Sequence, residues 1–162
     1  MTPDMDNVPE FIAVTLAAAP IFAEKGIKRF NPEQPDHGSG IVVHDFGEGA
    51  KAGVEAAHAS LGFCFVITPF DDGKVTDQVR GGAVHFLNFT LHAQETPGTN
   101  RGQNGTGIRC DKAILEAAKI LLKAQWPGNF PRSLVVGTFR NLGEQGSVWA
   151  CTLSVGMQVP LL

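Results

Sequence analysis

The sequence predicts an α+β domain: a mostly antiparallel β-sheet, an N-terminal helix and a long amphipathic helix packed on one face, and a C-terminal β-hairpin. Three observations carry this. Apolar residues recur with helical spacing near the N-terminus and again over Asp111 to Gln125, while several shorter runs are β-branched or alternate with period two. The order is helix, strands, long helix, hairpin, which is not a repeated strand–helix alternation. The 162 residues are 43% hydrophobic and 18% charged, enough for one core, and no repeat or linker divides residues 1–162.

The first helix has Asp6 or Asn7 as its cap and Pro9 where a proline costs no hydrogen bond, with Val8, Phe11, Ile12 and Leu16 on one face. Pro20 would clash with the carbonyl of Leu16, so the helix should end or kink just before it. Gly26 closes the region. Ile27 to Phe30 reads as a short strand and Asn31 to Gly40 as a polar, proline-rich loop. Gly40 to Phe46 has a strand's composition, and Lys51 to Leu61 is an alanine-rich helix weakened by Gly53 and the nearby Gly49. Phe63 to Phe70 is a strand ended by an Asp71-Asp72-Gly73 turn, with Pro69 at its end or on an edge.

Over Ala83 to Ala93, alternation puts Ala83, His85, Leu87, Phe89, Leu91 and Ala93 on one face, and Asn88, Thr90 and His92 on the other, where Phe86 breaks the pattern. In the helix Asp111 to Gln125, Ile114, Ala117, Ala118 and Leu121 form the inward stripe, widened by Leu115 and Leu122. Lys112, Glu116, Lys119 and Lys123 form the charged face, and Pro127-Gly128 is the stop. The hairpin has arms Leu134 to Arg140 and Ser147 to Val159 with Gly143 to Gly146 in the turn. Trp149, Cys151, Leu153, Val155, Met157 and Val159 make the buried face of its second arm.

Charge and cysteine usage exclude several function classes. The net charge is −3 without a basic block, whereas nucleic-acid binding needs clustered Lys and Arg to displace counterions. Cys64, Cys110 and Cys151 are odd in number and widely spaced, so neither a disulfide framework nor a zinc pattern is expected, and a reducing compartment is. The apolar run Phe11 to Ala23 follows acidic residues rather than the basic n-region of a signal peptide and is too short to span a bilayer.

The segment from Glu95 to Trp126 is the most informative. A Gly/Asn-rich loop carrying Arg101 and Arg109 opens directly into the long helix, and a loop of that length in a compact domain is usually functional or mobile rather than a bare connector. Gly102-Gln103-Asn104-Gly105-Thr106-Gly107 before a helix could cradle a phosphate, but it lacks the Lys-Ser/Thr ending of a P-loop and the three-glycine dinucleotide fingerprint. Cys110 stands at a helix N-terminus beside Arg109, where a thiolate could be stabilised, yet no pattern supplies its base. His37, His44, His58, His85 and His92 are scattered; no catalytic residue, metal or cofactor is expected.

A strand ending in Glu95-Thr96-Pro97, then Asn100-Arg101-Gly102, then Asn104-Gly105-Thr106-Gly107, an Ala/Leu-rich helix, Trp126-Pro127 and a terminal hairpin resembles the tail-terminator, or tail-completion, proteins of long-tailed bacteriophages. The match runs over roughly residues 84–159. The resemblance implies a non-enzymatic virion protein at the head-proximal end of the tail, made in the host cytoplasm. It implies a self-assembled ring, most often a hexamer, that caps the tail tube, meets the major tail tube protein and the head–tail connector protein, and lets DNA pass without sequence-specific binding. A neighbouring head–tail junction or minor tail protein is the alternative within that class, and a small anion- or nucleotide-binding enzyme the alternative outside it.

A head-to-tail ring needs two different complementary surfaces on each subunit. The candidates are Glu95, Asn100, Arg101, Asn104, Thr106 and Arg109 in the loop, the outward face of the Ala83 strand, and the apolar terminus with Leu161 and Leu162. Glycines make ordering costly without contacts, so Thr99 to Gly107 is expected to be mobile in an isolated subunit and ordered in the assembly.

Overall fold

A computed structural model describes residues 6–31, 33, 39–78, 82–127 and 134–160; the side chains of residues 39, 70–86 and 158–160 lie outside that description. The chain runs α1 (Asn7–Ala18), α2 (Pro20–Ala23), β1 (Ile27–Arg29), β2 (Ser39–Val43), α3 (Glu48–Ser60), β3 (Phe63–Gln78), β4 (Gly82–Glu95), α4 (Pro97–Asn100), α5 (Cys110–Lys123), β5 (Val135–Gln145) and β6 (Val148–Pro160). The strands form one six-stranded sheet in the order β1-β2-β3-β4-β6-β5. The β1–β2 and β2–β3 pairs are parallel and the other three antiparallel, so the fold is α+β on a mostly antiparallel sheet.

Pro20 does what its chemistry requires. α1 stops at Ala18, Ala19 is extended with ψ 127°, and Pro20 opens the short α2. Alternation along the strands sorts side chains into two cores. Ile41, Phe63, Phe65, Ile67, Phe89, Leu91, Leu153 and Val155 face α1, α2 and α5 in the main core. Val42, Cys64 and Val66 face the other way and meet Phe30, Ala50 and Ala57, so α3 covers the opposite side of the sheet. The N-terminal and long helices thus share one face, and α3 is an addition on the other.

Gly53 marks how close that second layer lies, since a Cβ there would stand 2.7 Å from the Phe30 ring. Phe11 packs on Trp126 with ring centroids 4.8 Å apart, tying α1 to the segment after α5.

Four local expectations are corrected. The first is the turn at Asp71-Asp72-Gly73. β3 continues through it to Gln78 because pairing with β4 resumes at Asp72↔Asn88; the surplus residues form an irregularity between Thr68 and Asp72 that holds Pro69, whose missing N–H is tolerated there.

The second concerns the hairpin, whose turn sits at Gly146-Ser147 rather than spreading over Gly143 to Gly146. Gly143, at φ 66°, serves the register shift between Asn141 and Gly143, which extends β5 to Gln145.

The third is the face of α5. Its buried residues are Cys110, Ala113, Ile114, Ala117 and Leu121, while Leu115 and Leu122 are 46% and 59% exposed on its flank. One hundred degrees per residue carries both leucines more than about a third of a turn from the centre of that buried set.

The fourth is Trp149, which alternates in register with the buried Cys151, Leu153, Val155 and Met157 but lies beyond the end of the core, with 42% of its surface exposed. The Ala83, His85, Phe86 and Val159 side-chain placements lie outside the described residues.

Candidate functional site

The loop between β4 and α5 is built around one carboxylate. Glu95 ends β4 on the helix-bearing face, in line with Leu91 and Ala93, and is fully enclosed. Asn100 Nδ2 donates to Glu95 Oε2 and to the Ile108 carbonyl, both at 2.8 Å. An Arg101 guanidinium nitrogen lies 3.1 Å from Glu95 Oε1, and the Cys110 backbone N–H donates to the same oxygen at 3.3 Å.

Thr106 links the two sides of the loop. Its hydroxyl donates to Asn100 Oδ1 and accepts from the Ile108 N–H at 3.1 Å. The backbone closes with Thr96 N–H to the Gly62 carbonyl and Gly107 N–H to the Asn100 carbonyl, each 2.8 Å.

Two glycines permit this fit. A Cβ on Gly62, which has φ 67°, would fall 2.2 Å from the Asn100 nitrogen, and one on Gly105 would fall 2.1 Å from the Asn100 oxygen. Asn100 is therefore clamped from both sides by residues that must lack a side chain. The contacts that offset the entropy of ordering the Gly-rich loop come from the chain itself, where the sequence had pointed to a partner.

The electrostatics follow. Burial pushes the Glu95 carboxyl up, but the Asn100 and Arg101 hydrogen bonds, the Cys110 N–H and the Arg101 charge together hold it below its ordinary value. At the start of α5, Arg109 forms an ion pair with Asp111, and the bond from Arg109 holds the Asp111 carboxyl low. Asp111 Oδ1 also accepts from the Lys112 N–H at 2.8 Å. The helix N-terminus, which attracts anions, is thus supplied with carboxylates by the chain. The place a phosphate would take at Cys110 N–H is filled by Glu95.

Of the sequence-derived interface residues, Glu95, Asn100 and Thr106 point inward and hold the loop together; they present no surface. Arg101, Asn104 and Arg109 are exposed on the outside of the same loop. Leu161 and Leu162 lie outside the described residues. The outward face of β4 carries Asn88, Thr90 and His92, each half-buried. Cys110 is buried against Cys151, and burial first, then the neighbouring Cys151, raises its thiol to about 12. Among the described residues no group of three or more His, Cys, Asp or Glu side chains converges as a metal-ligand set. Among them, too, no helix is long and apolar enough to cross a membrane.

A further surface escaped the sequence reading. β5 is the outer strand of the sheet and is exposed along nearly its whole length, with Val135, Phe139 and Leu142 at 51%, 49% and 43%. Its signal was the spacing Val135, Phe139, Leu142, which fits no strand with one buried face. Trp149 joins this surface to the loop, because its partner across the β4–β6 ladder is Glu95 and across the β5–β6 ladder is Glu144. Arginines and exposed aromatics near one another are the composition of an interaction surface. No protein-family model matches this chain, and no curated protein matches it in sequence.

Proposed function

We propose that this chain is a structural virion protein, a phage tail terminator whose copies form a closed ring, with six as the expected number, on the head-proximal end of the tail tube. The ring stops further tube addition and offers its other face to the head–tail connector, while DNA passes through the channel. The subunit acts by position and turns over no substrate. A head–tail junction or minor tail protein is the nearest alternative and uses the same surfaces.

The observation that carries this reading is the exposed outer strand β5 with Phe139, Leu142 and the adjoining Trp149. An isolated subunit leaves that apolar edge in water, and a neighbour in a ring covers it. The loop supports it from a second direction. Glu95, Asn100 and Thr106 make a rigid base on which Arg101, Asn104 and Arg109 stand outward, so a contact made by them needs little further ordering. Occupation of the α5 N-terminus by Glu95 removes the main support for the phosphate-binding alternative.

The test is mass in solution, by light scattering over a range of concentrations with and without the tube protein. A closed oligomer that Phe139→Asp reduces to folded monomer is the expected outcome. A monomer at every concentration that also fails to bind tube ends would overturn the reading.

A further inference from the structure

We propose that Cys110 and Cys151 form an intrachain disulfide that staples the first turn of α5 to β6, closed by a peroxide. The proposal does not depend on the ring. The two sulfurs lie 3.7 Å apart across 41 residues of chain, both inside the main core. A modest rotation of the side chains brings such a pair to the bonding separation of about 2.05 Å.

The pairing is unique within the chain. Cys64 is the remaining thiol and lies in the second core, on the opposite face of the sheet, with β4 between it and Cys151.

The chemistry balances with hydrogen peroxide as oxidant. The Cys110 thiolate attacks one peroxide oxygen, the O–O bond breaks, and a sulfenic acid and water form. The Cys151 thiolate then attacks the sulfenyl sulfur, the S–O bond breaks, and the disulfide and a second water form. The two thiols give up two electrons to the peroxide, and their protons leave in the two waters. Cys110 takes the first step because it retains slight solvent contact at the helix start, whereas Cys151 has none.

Burial makes the exchange slow in both directions. It raises the Cys151 thiol and takes Cys110 to about 12, so little thiolate exists at neutral pH, and the closed disulfide is equally shielded from external thiols. The pair therefore works as a lock set once, not as a fast sensor. Its position gives the lock a target: the Cys110 N–H is one of the donors to Glu95, so fixing Cys110 on β6 fixes the base of the loop that carries Arg101 and Arg109.

The test treats the folded full chain with hydrogen peroxide and counts thiols after denaturation. The expected result is a fall from the three cysteines of the sequence to one, with a peptide joining Cys110 to Cys151, Cys64 unmodified, and slower hydrogen exchange over residues 108–113. Cys64→Ser should leave the cross-link intact. Three free thiols in the folded chain under peroxide that oxidises the unfolded chain would overturn the proposal. So would a link that includes Cys64 or a second chain, or Cys110 carried to the sulfinic acid with Cys151 still free.

Discussion

Glu95 and Trp149 are direct partners across the β4–β6 ladder, yet the first is sealed in the protein and the second is nearly half exposed. The interior of the domain becomes its surface at this pair. Substitution should therefore separate folding from assembly. Trp149→Ser should change monomer stability by only about 1–2 kcal/mol, well under the roughly 3–5 of a fully buried Trp, while strongly weakening self-association. Denaturant titration and concentration-dependent light scattering check the two halves; a large stability loss with unchanged association would place Trp149 in the core rather than at a contact.

Asn100 is the hinge of the loop network. Asn100→Ala removes the donors to Glu95 and to the Ile108 carbonyl and leaves a buried carboxylate short of a partner, which should cost about 2–3 kcal/mol. Asn104→Ala, on an exposed position of the same loop, should stay within about 0.5 kcal/mol. Equal effects in urea titration would mean that the network does not stabilise the fold.

The network also predicts a pH dependence. The Glu95 carboxyl is held below its ordinary 4.5, so the folded state gains stability from its ionised form above that value. The gain should shrink as pH falls below about 4.5 and be gone once the folded-state carboxyl is protonated. Glu95→Gln should flatten that part of the stability curve. An unchanged slope between wild type and variant would show that Glu95 does not carry it.

Much of the fold was legible because the residues that define it act locally. Pro20 forbids helix continuation wherever it sits, and the strong alternation through Leu87, Phe89, Leu91 and Ala93 leaves one buried face for β4. The misplaced features depend on distant partners. Asp71-Asp72-Gly73 is good turn chemistry, but cross-strand pairing with residues 82–88 outweighs it. The alanine-rich run before Leu61 reads as a helix from its sequence, yet the place of α3 on the far side of the sheet depends on Phe30, Cys64 and Val66.

The glycines, arginines and length of the loop mark it in the sequence. The direction of Glu95, Asn100 and Thr106 is not marked there, since burial of a polar side chain follows from partners supplied by Arg101, Ile108 and Cys110.

The α5 face can be tested at adjacent residues. Leu121 is fully buried and Leu122 is mostly exposed. Leu121→Ala should cost about 2–5 kcal/mol. Leu122→Ala should stay within about 0.5 kcal/mol, because alanine is also a good helix former. Similar costs in chemical denaturation would mean that the helix is rotated from the orientation described.

A three-dimensional reconstruction of a particle containing this chain tests the proposed ring most directly. The expected result is a closed ring of copies at the head-proximal end of the tail tube, with β5, Phe139 and Trp149 covered by a neighbouring copy. Each neighbour contact should bury more than about 1,000 Å². Single copies on the tail exterior, or copies elsewhere in the particle with β5 uncovered, would contradict it.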